Sequence, residues 1–175
     1  ADVLQARAAA LDVPARARAA MARFWRQVPA LTLPPATTSR TRRFTPAVRT
    51  SSELRDDQGR LLLRAGAVLN PLATLPLTAR ILVLDARDPA EIAWAKAQRA
   101  TNRATIHLVV NPDREGGWAA WQQLQDALES PVFLLEAQLQ RRLGVQVTPS
   151  LIEAQGTELV VTETALARQL TEIRR

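Results

Sequence analysis

From residue 80 onwards, short apolar runs alternate with segments of helical periodicity. The runs ARILVLDA (79–86), TIHLVV (105–110) and VFLL (132–135) predict buried strands, because each is apolar and ends at polar or turn-forming residues. A helix is expected after each run, and the first of these starts at Asp88, which has the side chain of an N-cap. This alternation predicts an α/β domain over residues 79–175.

The last part of this domain predicts a hairpin that begins at a proline. Gly144 has the character of a helix C-cap, Thr148-Pro149 precedes a strand, and Gln155-Gly156 forms the turn to the next strand. A final helix is expected after Thr164 as its cap. The resulting order, βαβαβαββα, resembles a thioredoxin-like domain, in which the bond before this proline is cis, so a cis Thr148–Pro149 bond is expected.

The cysteine pair on which thioredoxin chemistry depends is missing from this chain. Thioredoxins use a cysteine pair, whereas this chain contains no cysteine, which excludes disulfides and thiol catalysis. The segment NPDREGGWAAW (111–121), predicted to follow the second strand, offers no equivalent nucleophile. His107 is the only histidine and is expected in the core or at its rim. We therefore expect no catalytic, cofactor-binding or metal-binding residues, and a protein that is not an enzyme.

The groove between Asn111–Gly117 and Val147–Ser150 is expected to bind a partner.

Three further segments precede this domain. Residues 1–28 predict a basic amphipathic helical arm, residues 29–50 a linker rich in Pro, Thr and Arg, and residues 51–78 a small β unit. Within that unit the leucine run at 61–63 is expected to be a buried strand. In the arm, four residues form one apolar stripe that is expected to be buried on the domain or on a partner: Met21, Phe24, Trp25 and Val28. Trp94, Trp118 and Trp121 are expected in the core.

The positive charge of the chain is concentrated at its start. Residues 1–55 hold ten arginines and three acidic residues, a net charge of +7, whereas residues 56–175 carry a net charge of −1. Such asymmetry is typical of an interaction tail, and a nucleic-acid-binding module is the alternative function. Aromatic and basic residues do not interleave on any predicted strand, which argues against nucleic-acid binding.

No run approaches the ~20 apolar residues of a membrane span. The Ala1-Asp2 start fits either a shortened chain or a mature form left after cleavage at a small-residue site.

Several motifs resemble the TraW family of F-type conjugative transfer systems over about residues 42–163. The family patterns are F-D-P-x-V, D-I-x-D-x-x-G-x-V, G-x-x-x-N-P-L, D-D-P-x-x-x-x-W-x-K and R-x-G-I-x-x-V-P-A. The matching residues are Phe44, Pro46 and Val48; Leu54, Asp56 and Gly59; Gly66, Asn70, Pro71 and Leu72; Asp88, Pro89, Trp94 and Lys96; and Arg142, Gly144, Val145, Thr148, Pro149 and Ser150. The chain departs from these patterns at Thr45 and Glu53, which replace aspartates, and at 133–137, where the family has F-D-Q-x-G.

The resemblance implies a periplasmic protein needed for assembly of the conjugative pilus, without catalytic residues or cofactors. It implies a TrbC-type thioredoxin-like protein, together with other pilus-assembly proteins, as the partner. The residues expected to bind partners are the arm stripe (Met21, Phe24, Trp25 and Val28) together with Asn70, Pro71 and Pro149. For Asn70 and Pro71 the alternative is a purely structural role in a turn that covers the start of the domain.

Overall fold

The computed structural model describes residues 13–29, 31–98 and 104–167. Within these ranges the α-helices are α1 (Val13–Gln27), α2 (Pro89–Ala97), α3 (Gly117–Leu128) and α4 (Ala137–Leu143), and a 3₁₀ helix spans Pro71–Ala73. The strands of the first half are β1 (Arg40–Phe44), β2 (Val48–Arg49), β3 (Leu54–Arg55), β4 (Leu61–Leu63) and β5 (Val68–Leu69). The remaining strands are β6 (Arg80–Asp85), β7 (Thr105–Val110), β8 (Val132–Leu134), β9 (Ser150–Gln155) and β10 (Glu158–Glu163).

A six-stranded sheet forms the centre, in the order β1-β10-β9-β6-β7-β8. Strands β6, β7 and β8 are parallel, and β9, β10 and β1 add to the sheet as antiparallel neighbours. Because side chains alternate along a strand, β6 contributes to two cores. Its Leu82 and Leu84 pack with residues of α2 and α3, while its Ile81 and Val83 pack with Leu143 at the end of α4. The predicted mixed α/β architecture is thus confirmed.

The local signals at the ends of the predicted elements are also confirmed. Asp88 accepts hydrogen bonds from the backbone N–H groups of Ala90 and Glu91, as an N-cap does. Gly144 ends α4 in the left-handed conformation, with φ 65°. The Thr148–Pro149 bond is cis, and β9 starts directly after it.

Part of the predicted linker is a strand instead. Residues 40–44 form β1, an edge strand whose Arg40 pairs with Glu163 and whose Phe44 pairs with Leu159 in β10. Arg40 and Arg42 both donate hydrogen bonds to the carboxylate of Glu163, whose side chain is only 1% exposed. The linker prediction was wrong here because the partner strand lies more than a hundred residues away in the sequence.

The β unit consists of two separate ribbons, β2 with β5 and β3 with β4. Gly59 takes φ 79° in the turn of the second ribbon, a conformation that glycine adopts without strain. The leucine run was expected to be buried, but Leu61 and Leu62 are 39% and 55% exposed. Since this two-stranded ribbon does not join the six-stranded sheet, no second layer covers these side chains among the described residues.

The expectations for Trp118 and for the two ends of the chain have different outcomes. Trp118 is 46% exposed rather than in the core, and the centre of its ring lies 6.4 Å from that of Trp25 in α1. Residues 164–167 are not helical, and the remainder of the helix expected after Thr164 lies outside the described residues. The arm before Val13 also lies outside them.

We predict that Gly144→Ala lowers the unfolding free energy more than Gly156→Ala does. Both glycines have φ near 60°, which strains any other residue, but a Cβ at Gly144 would lie 2.8 Å from the Phe44 ring, whereas a Cβ at Gly156 meets nothing within 4 Å. Gly156→Ala should therefore cost about 1 kcal/mol of unfolding free energy, and Gly144→Ala about 2 to 3 kcal/mol. Denaturant titration of both variants measures the difference. Equal losses would contradict a tight contact between Gly144 and β1.

Candidate interaction site

A groove lies between the loop after β7 and the loop before β9, and it is filled by residues 31–36, here called the strap. Asn111 donates its backbone N–H to the carbonyl of Leu31, at 3.2 Å. Thr148 donates its N–H to the carbonyl of Pro34 (3.1 Å) and accepts at its own carbonyl from the N–H of Ala36 (2.7 Å). The strap therefore lies across the groove as an extended peptide, with a parallel bridge between Pro35 and Thr148.

The strap also contributes side chains to the core. Leu33 and Ala36 are each only 9% exposed, and Leu33 belongs to the cluster that includes Val110 and Val145. Pro149, a predicted partner-binding residue, is buried in the same region. The predicted groove exists, but in this conformation the chain's own strap covers it.

A buried carboxylate lies beside Thr148. One oxygen of Glu91 accepts a hydrogen bond from the hydroxyl of Thr148 (3.0 Å), and the other accepts from the backbone N–H of Asp85 (2.7 Å). Burial raises the pKa of Glu91; the two hydrogen bonds oppose this shift, and the nearby charges of Asp88 and Asp85 add to it. Sequence reasoning missed this role, because a glutamate in the first turn of a capped helix is normally expected at the surface.

Asn111 joins three parts of the groove. It has a positive φ of 48°, its amide donates to a carboxylate oxygen of Asp85 (2.7 Å), and its side-chain oxygen accepts from the hydroxyl of Thr32 in the strap (2.9 Å). Asp113, two residues later, accepts from the N–H groups of Glu115 and Gly116 just before α3. Asp113 thus holds the turn that leads into α3. The polar groups of this loop thus hold the strap and α3 in place.

The arm docks on α3 through one part of its apolar stripe. Trp25 and Val28 are 5% and 2% exposed, and the Trp25 ring centre lies 5.5 Å from that of Trp121. Arg114 donates to the carbonyl of Val28 at 2.8 Å. The other two residues of the stripe, Met21 and Phe24, are 45% and 59% exposed. The stripe is therefore divided between an inward half and an outward half.

Asn70 and Pro71 lie at the junction between the β unit and the main sheet. The Asn70 side-chain oxygen accepts from the N–H of Leu72 (3.0 Å), and its amide donates to the carbonyl of Thr157 in the β9–β10 turn (2.7 Å). Pro71 starts the 3₁₀ helix that follows. Asn70 thus holds the β unit against the β9–β10 turn, while the prediction that Asn70 and Pro71 bind a partner stays a prediction.

We predict that Asn70→Ala lowers the unfolding free energy by about 1 to 2 kcal/mol, because it removes both a cap and a long-range hydrogen bond. Asn70→Asp keeps the capping oxygen and loses only the donor to Thr157, so it should cost about half as much. Thermal and denaturant unfolding of the two variants measures this. Normal stability of Asn70→Ala with lost pilus assembly would instead identify Asn70 as a contact residue.

The described residues contain little that points to catalysis. His107 is 1% exposed and lies in the sheet core, as predicted. Within residues 13–29, 31–98 and 104–167, no group of three His, Asp or Glu side chains could hold a metal ion. In the same ranges no helix has the length and apolarity needed to cross a membrane.

Fold and site together define a mixed α/β protein with a sheet core, whose groove is covered by its own strap and whose arm docks on α3. No family model matches the chain, and no solved structure matches it. The chain is 30% identical over 114 residues to Protein TraW of Escherichia coli (strain K12), an alignment that covers 65% of this chain and 51% of that protein. It therefore spans about half the length of this curated relative. This similarity supports membership of the TraW family, and the resemblance drawn from the motifs is confirmed.

Proposed function

We propose that this protein is a non-enzymatic, periplasmic assembly factor of an F-type type IV secretion system, needed for assembly of the conjugative pilus. It acts as a docking scaffold for a TrbC-type thioredoxin-like protein and for other pilus-assembly proteins. The observation that carries this proposal is the similarity to TraW over 65% of the chain. Since the chain spans only about half of that relative, the activity and partners of the whole protein remain part of the proposal.

We also propose that the C-terminal half is a thioredoxin-like domain without cysteines. The order β7-β6-β9-β10, with β6 parallel to β7 and antiparallel to β9, supports it. The cis Thr148–Pro149 bond directly before β9 is the second supporting feature.

The composition and filling of the groove favour a scaffold over an enzyme. The chain has no cysteine, and the strap satisfies both backbone hydrogen-bonding groups of Thr148. The buried carboxylate of Glu91 is bound by Asp85 and Thr148 below the strap. A fold of this kind can present surfaces to partners without carrying out any reaction.

A nucleic-acid-binding module is the second candidate, supported by the exposed arginines of α1, Arg16, Arg23 and Arg26. However, two other arginines of the basic first segment, Arg40 and Arg42, are paired with Glu163, which removes them from the charge available to phosphates. This candidate requires an affinity for DNA that falls steeply with salt and is lost in Arg23→Glu/Arg26→Glu.

Co-purification with the TrbC-type protein of the same operon tests the proposal. We expect a stable complex, and we expect that deletion of this gene abolishes pilus assembly without changing the level of other transfer proteins. Absence of a complex with the full chain would overturn docking to TrbC. Normal pili in the deletion strain would overturn the assembly role.

A further inference from the structure

Three large apolar side chains lie exposed around the buried Trp25: Met21, Phe24 and Trp118, here called the arm patch. They are 45%, 59% and 46% exposed. The Phe24 ring meets Trp25 edge-on at 5.6 Å, and the centre of the Trp118 ring lies 6.4 Å from that of Trp25. Two side chains on α1 and one on α3 are thus exposed apolar neighbours of the Trp25 region. Large apolar surfaces of this kind in globular proteins mark interaction sites.

Two residues of the arm patch, Met21 and Trp118, line a cavity. This cavity of about 430 Å³ opens between the two helices, and Met21, Trp25 and Trp118 are among the residues that line it. This space is large enough to receive an apolar side chain of another protein, as the central pockets of protein interfaces do.

The charge around the cavity is positive. Arg26 and Arg114 line it, and Glu115 is the one acidic residue of its lining. Helix α1 as a whole carries four arginines and no acidic residue. Because complementary charges select partners and speed their association, this surface fits an acidic segment.

We propose that the arm patch binds an acidic segment of a partner protein, which inserts one apolar side chain between Met21 and Trp118 and places its carboxylates near Arg26 and Arg114. This inference rests on the proposed function for its setting, a scaffold within an assembly. It deepens that function by naming a surface and the chemistry of its occupant.

Site-specific crosslinking of the full chain in cells that carry the transfer operon tests this. Phe24 is replaced by p-benzoylphenylalanine, and Leu75, 75% exposed in the β unit, is replaced likewise as the control. After irradiation the crosslinked peptide is identified by mass spectrometry. We expect position 24, and not position 75, to form an adduct with a protein segment that contains more acidic than basic residues.

A second pair of variants tests the role of charge. Arg26→Glu should lower the yield of the adduct by about five-fold or more, because it reverses the attraction, whereas Arg64→Glu, exposed in the β unit, should change it by less than about two-fold. Circular dichroism of both variants checks that the fold is retained.

The outcomes separate this inference from the proposed function. An adduct with the TrbC-type protein through an acidic segment supports both. An adduct with an acidic segment of another transfer protein supports the arm patch and counts against docking of TrbC there. An adduct with a basic segment, with lipid or with nucleic acid, or no adduct at position 24, overturns the inference. So does flotation of the full chain with phosphatidylglycerol vesicles that is lost in Phe24→Ser.

Discussion

Glu163→Gln should lower the unfolding free energy by about 2 to 3 kcal/mol, because it breaks a buried ion pair from one side. The Glu163 carboxylate is 1% exposed and accepts hydrogen bonds from Arg40 and from Arg42, the latter at 2.7 Å. A glutamine would place an amide N–H group against guanidinium N–H groups that are also donors. The loss stays below the largest values for buried pairs because Arg40 is half exposed and can be solvated. Denaturant unfolding at neutral pH measures the effect.

Glu158→Gln is the matched control on the same strand. Glu158 lies 3.9 Å from Arg43, and both side chains are about half exposed, so this pair should contribute no more than about 0.5 kcal/mol. A loss in Glu158→Gln equal to that in Glu163→Gln would show that β10 is sensitive to any substitution. It would contradict a special role for the buried pair.

The contribution of Glu163 should also depend on pH. Burial raises the pKa of its carboxyl group, but the hydrogen bonds and charges of Arg40 and Arg42 outweigh burial and bring the pKa below its ordinary value. A carboxyl group whose pKa is lower in the folded than in the unfolded state stabilises the fold above the unfolded pKa, about 4.3, and loses this contribution as the pH falls through the folded pKa. The stability difference between the wild type and Glu163→Gln should therefore be constant near neutrality and shrink below about pH 4. A difference that grows on acidification would contradict this assignment.

Trp25→Ala should release the arm by removing about 3 kcal/mol of docking free energy, within the range for large buried aromatic side chains. Trp25 is 5% exposed and contacts Trp118 and Trp121 of α3. Alanine is the best helix former, so the loss would come from packing and not from helix propensity. We expect native-state trypsin cleavage at the exposed arginines of α1 to become about 100-fold faster, while the sheet stays folded.

Phe24→Ala, one residue earlier on the same helix, is the control. Phe24 is 59% exposed, so its truncation should change cleavage of α1 by less than about five-fold. Equal cleavage rates for the two variants would mean that Trp25 does not anchor the arm. Global unfolding of Trp25→Ala, measured by circular dichroism, would mean that the arm and the sheet form one cooperative unit.

Many features of the fold could be predicted from short stretches of sequence. The cap at Asp88, the left-handed glycines at 59 and 144 and the proline before β9 depend on residues only a few positions apart. Strand periodicity is equally local, and the apolar runs of β6 and β7 were assigned from it correctly. The lack of cysteine, and with it of thiol chemistry, follows from the sequence alone.

Other features depend on contacts between distant parts of the chain. Residues 40–44 form a strand because β10 presents an open edge and the buried charge of Glu163, which local composition does not reveal. The strap fills its groove because Asn111 and Thr148 offer it backbone partners about eighty and more than a hundred residues away. For the same reason the role of Glu91, whose buried carboxylate accepts a hydrogen bond from Thr148, could not be predicted. The sequence by itself determined the elements, their ends and the absence of thiol chemistry. Only the tertiary structure decided which groove residues 31–36 would cover, which edge residues 40–44 would join, and which half of the arm stripe would face outwards. Long-range pairing and burial leave no periodic signal in a short segment.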